Sequence, residues 1–313
     1  MIKQVHSVSI TVNNVEQSAR FFTDLLDFEQ VSDVEVAGDE VEHLMGVFGT
    51  RLRVITVALG SEQIELMEFI APQGRPLPVD SRSNDLWFQH IAIVVSDMEA
   101  AYARLREHRV RHVSSGPQTL PDWNPNAGGI KAFYFRDQDQ HNLELIWFPE
   151  GKGSARWQNG EGLFLGIDHT AIAVSDTTAS RAFYENLLGF TLAGQSENYG
   201  TEQEHLNMVF GAHLQISGLA ASDGGMGVEF LEYLSPRTGR PYPVDSKTND
   251  LWHWQTCLVA NDVEAAYATL REHGAALISS GLITLSDDQV GPRRTFLIRD
   301  PDGHALRIME QTD

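Results

Sequence analysis

One cysteine, Cys257, stands in a chain of 313 residues, so no internal disulfide can staple the fold. No apolar stretch reaches the roughly 20 residues that a membrane span requires. Polar Ser7, Ser9 and Thr11 interrupt the apolar residues near the start, which excludes a signal-peptide pattern there. Basic side chains are also scarce, 23 Lys and Arg against 43 Asp and Glu, for a formal charge of −20. That balance argues against unassisted binding to nucleic acid or to an anionic membrane. A cytoplasmic protein is expected. Solubility is the plain explanation of the acidity, and attraction of a divalent metal or a cationic small molecule is the alternative.

What the chain does have is a repeat. Residues 74–87 read GRPLPVDSRSNDLW and residues 239–252 read GRPYPVDSKTNDLW, identical at 11 of 14 positions, and EAAYARLREH at 99–108 returns as EAAYATLREH at 264–273. Self-similarity on this scale means two equivalent domains. The expected division is a first domain over 1–148, a linker over 149–166 and a second domain over 167–313. The copies differ in chemistry: His90 and Glu144 of the first stand opposite Gln255 and Arg307 of the second.

VHSVSITV (5–12) alternates as a half-buried strand does, and VEQSARFFTDLL (15–26) places Val15, Ala19, Phe22 and Leu26 at helical spacing. Segments 28–36, 51–59 and 63–70 read as three further strands, with a short helix over EVEHLMGVF. The order strand, helix, three strands returns from His90, from Ile167 and from Trp254. The fold class is therefore α+β, with four βαβββ modules. Loops rich in Pro and Gly join modules one and two (72–85) and modules three and four (237–250). The aperiodic PEGKGSARWQNGEG (149–162) is the interdomain linker.

At this point the sequence resembles the vicinal oxygen chelate superfamily, which includes glyoxalase I, methylmalonyl-CoA epimerase, extradiol dioxygenases and the fosfomycin and bleomycin resistance proteins. The resemblance covers nearly the whole chain. It implies that pairs of modules form cup-shaped mixed sheets, with metal ligands on the first and last strands of each module. The matching positions are His6, Glu65 in IELM, His90 in FQHIAIVVSD and Glu144 in FRDQDQHNLELI. The last stretch resembles the family's D-P-D-G-x-x-x-E ending, with Gln138 and Gln140 in place of Pro and Gly, whereas the second copy keeps Asp300-Pro301-Asp302-Gly303 and ends it in Arg307. If consecutive modules pair, which is the expected arrangement, the set is His6, Glu65, His90 and Glu144. If module two pairs with module three, His90 and Glu144 meet His169 and Glu229.

Two imidazoles and two carboxylates suit one divalent first-row ion, whether Fe, Ni, Zn, Co or Mn, with open positions for a substrate carrying adjacent oxygens. The resemblance then implies a glyoxalase- or epimerase-like isomerase or lyase acting through an enediolate of the chelated substrate, with Glu65 or Glu144 as base. Alternatives are a non-haem iron(II) extradiol dioxygenase with Tyr134 near the substrate, and a metal-free resistance-type protein that sequesters a cationic drug. Tyr134 can equally be a packing residue. Glu68, three residues beyond Glu65, faces the other side of its strand and reads as a solvated or capping residue. His43 and His205 recur within EHL and read as structural. Arg75, Arg82 and Trp87 could clamp an anion, but the second copy keeps Arg240, Lys247 and Trp252, which favours a structural role. Trp123 and Trp147 are expected in the core or cup lining. The chain is expected to be a monomer or a homodimer.

Overall fold

A computed structural model describes residues 1–286 and 293–311. Residues 287–292 and 312–313, inside the expected second domain, lie outside the described residues.

The four modules follow one another in chain order. Module one holds β1 (Ile2–Thr11), α1 (Val15–Arg20), β2 (Glu29–Ala37), α2 (Asp39–Met45), β3 (Arg51–Leu59) and β4 (Glu62–Ala71). Module two holds β5 (Gln89–Val95), α3 (Met98–Glu107), β6 (Arg111–His112), β7 (Gln118–Thr119), β8 (Lys131–Arg136) and β9 (Asn142–Trp147). Module three repeats the first as β10 (Phe164–Val174), α4 (Thr177–Phe183), β11 (Thr191–Tyr199), α5 (Thr201–Asn207), β12 (His213–Ala220) and β13 (Gly227–Ser235). Module four repeats the second as β14 (Trp254–Ala260), α6 (Val263–Glu272), β15 (Ala276–Leu277), β16 (Ile283–Thr284), β17 (Arg294–Arg299) and β18 (Ala305–Glu310). The second strand of modules two and four shrinks to two residues. Among the described residues, no helix is long and apolar enough to cross a membrane.

The sheets do not follow the halves of the chain. One runs β15-β17-β18-β14-β1-β4-β3-β2, joining modules four and one, and the other runs β11-β12-β13-β10-β5-β9-β8-β6, joining modules three and two. The expected pairing of consecutive modules is thus corrected: β5 lies antiparallel to β10, with His90 opposite Ala171, and β1 lies antiparallel to β14. Each sheet draws strands from both expected domains. The chain starts in one sheet, builds the other with its two middle modules, and returns.

Period-two alternation sorts side chains between a core and a cup. On β1, Val8 and Ile10 join a core that also takes Ile64, Leu66, Ile91, Ile93, Ile172 and Phe230, while Ser7 and Ser9 face the opposite way, toward Glu65. The helix after β1 starts at Asn14, whose side chain accepts from Gln17 N at 2.9 Å, and Glu68 accepts from Val15 N at 2.9 Å. Glu68 is therefore a capping residue, as its face of the strand implied.

The two repeated loops are where the chain crosses between sheets, and they clasp each other. Arg75 donates to both oxygens of buried Asp250, at 2.9 and 2.7 Å, and Arg240 does the same to Asp85, at 3.0 and 2.7 Å. Each guanidinium also lies over the other loop's tryptophan, Arg75 over Trp252 and Arg240 over Trp87. Gly74 and Gly239 permit this approach, because a Cβ on either would collide with the backbone carbonyl of Asn249 or Asn84. The clasp accounts for the near-identity of the two loops.

Candidate metal centre

Four strands in the order β13-β10-β5-β9 place one candidate group each on the cup face. Glu229 lies on β13, His169 on β10, His90 on β5 and Glu144 on β9. His90 Nε2 is 2.9 Å from Glu144 Oε2, His169 Nε2 is 3.7 Å from the same oxygen, and His169 Nε2 is 3.5 Å from Glu229 Oε1. Ligand atoms of His90, Glu144 and His169 all fall within 4.8 Å of one another.

A β-bulge aims His169. The ladder between β10 and β5 skips a residue between Ile167 and His169, so Asp168 is the extra residue. Its Oδ2 accepts from His169 Nδ1 at 3.0 Å, while Trp157 Nε1 donates to Oδ1 at 2.6 Å. This fixes the tautomer and turns Nε2 into the cup, the arrangement in which an imidazole holds a metal. Trp157 belongs to the linker, which is therefore a working part of the site.

The site's electrostatics favour a cation. Burial, helped by the nearby charge of His169, holds His90 below the ordinary imidazole range despite Glu144, which favours a neutral ring. Burial opposes a charge on His169 too, but Glu229, Asp168 and Glu144 outweigh it and raise this histidine to about 10. Burial, reinforced by Glu144 and Asp168, lifts Glu229 to about 7. Of the site's side-chain nitrogens, His90 Nδ1 and His169 Nε2 are buried without a hydrogen-bond partner among the described residues. A buried imidazole nitrogen with no hydrogen-bond partner among crowded carboxylates suits a divalent ion, and the donor set of two imidazoles and two carboxylates fits one.

A cavity of about 210 Å³ opens beside Glu144, His169 and Glu229. Tyr134 lines it, its ring centroid 4.9 Å from that of His90, and burial, then Glu144, raise its phenol well above the ordinary value, so it stays protonated. Asn126, Gln195, Asn198 and Gln203 add amides to the lining. Gly194 and Gly218, opposite each other on β11 and β12, leave the middle of the cup clear.

The other cup is closed. Register places Ser7, not His6, opposite Gln63 on β4, as His169 stands opposite Gly227 on β13, so His6 is the counterpart of Asp168. The expected use of His6 as a ligand is corrected by this one-residue shift: it sits at the bulge, with Nδ1 3.2 Å from Ser7 Oγ. Glu65, the counterpart of Glu229, is also separated from His90 and Glu144. It accepts from Ser7 at 3.0 Å and Ser9 at 2.8 Å, and Arg307 Nη1 lies 3.7 Å away. A guanidinium thus sits where the first cup has Glu144, beside the carboxylate that a metal would otherwise neutralise. Ser32 and Thr56, which replace Gly194 and Gly218, are paired on neighbouring strands β2 and β3 and hydrogen-bond to each other at 2.9 Å. Val36, Val41 and Met45 stand in for Asn198, Gln203 and Asn207 in an apolar cluster, and only about 20 Å³ remains.

Of the other sequence expectations, Arg75 and Trp87 belong to the loop clasp, and Trp123 is half exposed, stacked on Tyr199 at 4.3 Å. Sequence reasoning missed Asp168, Trp157 and the glycine pair. The adjacent Asp168-His169 was the available signal.

The chain belongs to the Glyoxalase/Bleomycin resistance protein/Dioxygenase superfamily, whose model matches residues 4–145 and 166–308. A 2-epi-5-epi-valiolone epimerase from an Actinomyces species is 35% identical over 152 residues, 47% of this chain and 80% of that protein. The Escherichia coli protein YaeR, which is uncharacterized, is 31% identical over 147 residues, 46% of this chain and 95% of that protein. Glyoxalase I from Zea mays has the same fold, with a TM-score of 0.59 at 15% identity over 98% of this chain and 92% of that one.

Proposed function

We propose that the chain is a metal-dependent isomerase that epimerises a small polyhydroxylated ketone or related substrate with two adjacent oxygens, in the cup built by modules two and three. The observation that carries this reading is the convergence of His90, Glu144 and His169 within 4.8 Å beside a cavity that also takes Glu229. These four residues would hold the ion. A divalent metal bound there supplies Lewis acidity to the substrate's paired oxygens, making the hydrogen on the neighbouring carbon acidic.

The chain's own groups do the rest. Glu229 and Glu144 stand on the outer two of the four strands, flanking the histidines, so a carboxylate freed from the ion by the substrate's oxygens would take a proton from a carbon next to a carbonyl, and a proton returned to the other face would complete the epimerisation. Protonated Tyr134 can donate a hydrogen bond to substrate oxygen, and Gln195, Asn198 and Gln203 offer amides to hydroxyl groups. The 35%-identical epimerase supports a reaction of this type.

The test is hydrogen exchange. In D2O with a divalent metal, NMR should show deuterium entering the carbon next to the carbonyl of an accepted hydroxyketone, and His90→Ala and Glu144→Ala should abolish it. Absence of exchange across a panel of cyclic and linear hydroxyketones would reject the reading. Tyr134 beside His90 supports one rival, an iron-dependent ring-cleaving dioxygenase, which oxygen uptake with a catechol would reveal.

A further inference from the structure

A cleft of about 510 Å³ lies away from both cups, where α1 and the π-helical turn that continues it (Phe21–Leu25) meet the end of α3 and the β8–β9 turn. Gln138 donates to Ser18 at 2.7 Å and Asn13 N to Asp139 at 2.9 Å, so module one is tied to module two across it. In a chain of charge −20, this cleft is lined by Arg20, Arg109, Arg111 and Arg136, with His108 at its edge. Arg136, buried, bonds neutral oxygens, Asn142 Oδ1 at 3.2 Å and Ser81 O at 3.0 Å. Among the described residues, Arg20, Arg109 and Arg111 have no carboxylate partner, and Arg111 donates to the neutral amide of Gln140. Two acids also line the cleft. Asp137 is engaged by His141 at 2.8 Å, which leaves exposed Asp24, among the described lining residues, as the one acid without an ion-pair partner against four guanidiniums.

The internal repeat shows that this charge is not part of the fold's requirements. Ala182, Gly274 and Ala276 occupy the positions of Arg20, Arg109 and Arg111 in the second copy, while Arg299 matches Arg136. Arg109 has φ +54°, where the second copy has Gly274 at φ +75°, and Gln140 has φ +75°, where the second copy has Gly303 at φ +103°. Both first-copy side chains sit in a backbone conformation that glycine adopts without strain, and both line the cleft. Two of the four non-glycine residues with positive φ among the described residues thus line the cleft, beside guanidiniums that have no carboxylate partner there.

We propose that this cleft is a second binding site, for a small anion carrying two or more phosphate or carboxylate groups, and that it works separately from the metal centre. Guanidiniums read both groups through paired N–H donors. Partly buried Phe21 supplies an apolar wall for the ligand's carbon frame.

Calorimetric titration of the metal-reconstituted chain at low ionic strength, with fructose 1,6-bisphosphate and separately with tricarballylate, tests this and distinguishes phosphate from carboxylate recognition. At least one is expected to bind. Affinity should fall at least about tenfold when Arg20→Ala, Arg109→Gly and Arg111→Ala are combined, since these import the second copy's own residues and remove three charge-assisted contacts. Arg20→Gln alone, at an exposed helix end, should give a smaller loss with unchanged thermal unfolding. His90→Ala should bind the anion like the parent. Failure of both anions to bind, affinity unchanged by the triple substitution, or binding lost in His90→Ala would each overturn the proposal.

Discussion

Ser7, Gln255 and Arg307 stand in one cup where the other has His169, His90 and Glu144, and the first of these three differences is the one hidden by a neighbouring His6. A histidine on the first strand of each repeat suggested equivalent ligands, but register assigns the position of His169 to Ser7 and that of Asp168 to His6. Because side chains alternate faces along a strand, a shift of one residue changes a ligand into a flanking group. The strand pattern was legible in the sequence; the bulge was not, since neither glycine nor proline occupies the bulged positions His6 and Asp168. Cup volume is set at the same scale. Converting Gly194→Ser and Gly218→Thr reproduces the Ser32–Thr56 bridge, and should cut turnover at least about 100-fold by displacing substrate, with metal content and fold retained. Full turnover in that variant would show that substrate binds elsewhere.

His141 gives a prediction from bonding alone. Nδ1 faces Asp137 Oδ2 at 2.8 Å and Nε2 faces Leu251 O at 2.7 Å, so two acceptors require both ring nitrogens to carry protons. Burial opposes the charge, but Asp137 prevails and raises His141 to about 9, from 6.5. A folded-state value above the unfolded one stabilises fully below about pH 6.5, and the benefit is lost as pH rises through about 9. The urea-unfolding gap between the parent and His141→Asn should therefore narrow from pH 6 to pH 10, by up to about 3 kcal/mol. A gap independent of pH would show that the ring is neutral in the fold.

At the scale of elements, the strand and helix order of all four modules was readable from periodicity, and the loops from Pro and Gly. The role of the repeated loop was only partly readable. Retention of Arg240 and Trp252 in the altered copy argued for structure, but the reciprocal Arg75–Asp250 and Arg240–Asp85 bonds join residues more than 150 positions apart, which no local pattern reveals. Removing Arg75 strips bonds from a buried carboxylate, so Arg75→Ala should cost about 1–3 kcal/mol of stability. Gly74→Ala should cost more, because its Cβ meets backbone. Chemical denaturation reads both, and wild-type stability in Gly74→Ala would contradict the close approach.

For the whole molecule, the sequence could not choose between pairings, because every module offers the same strand order and apolar faces. The structure interlocks the halves: modules one and four close one cup with Glu65 and Arg307, and modules two and three build the other. Fragments 1–158 and 159–313 should each fail to hold metal alone and should regain it when refolded together. Metal held by the first fragment alone would restore the pairing of consecutive modules. Duplication here has left one cup open and polar and the other filled by valine, methionine and an internal ion pair.

The most direct test of the account is metal content, measured by elemental analysis after reconstitution, in the parent and in His6→Ala, His90→Ala and His169→Ala. The account predicts about one equivalent per chain in the parent and in His6→Ala, and none in the other two. Metal lost in His6→Ala and kept in His169→Ala would contradict it, as would its absence from the parent.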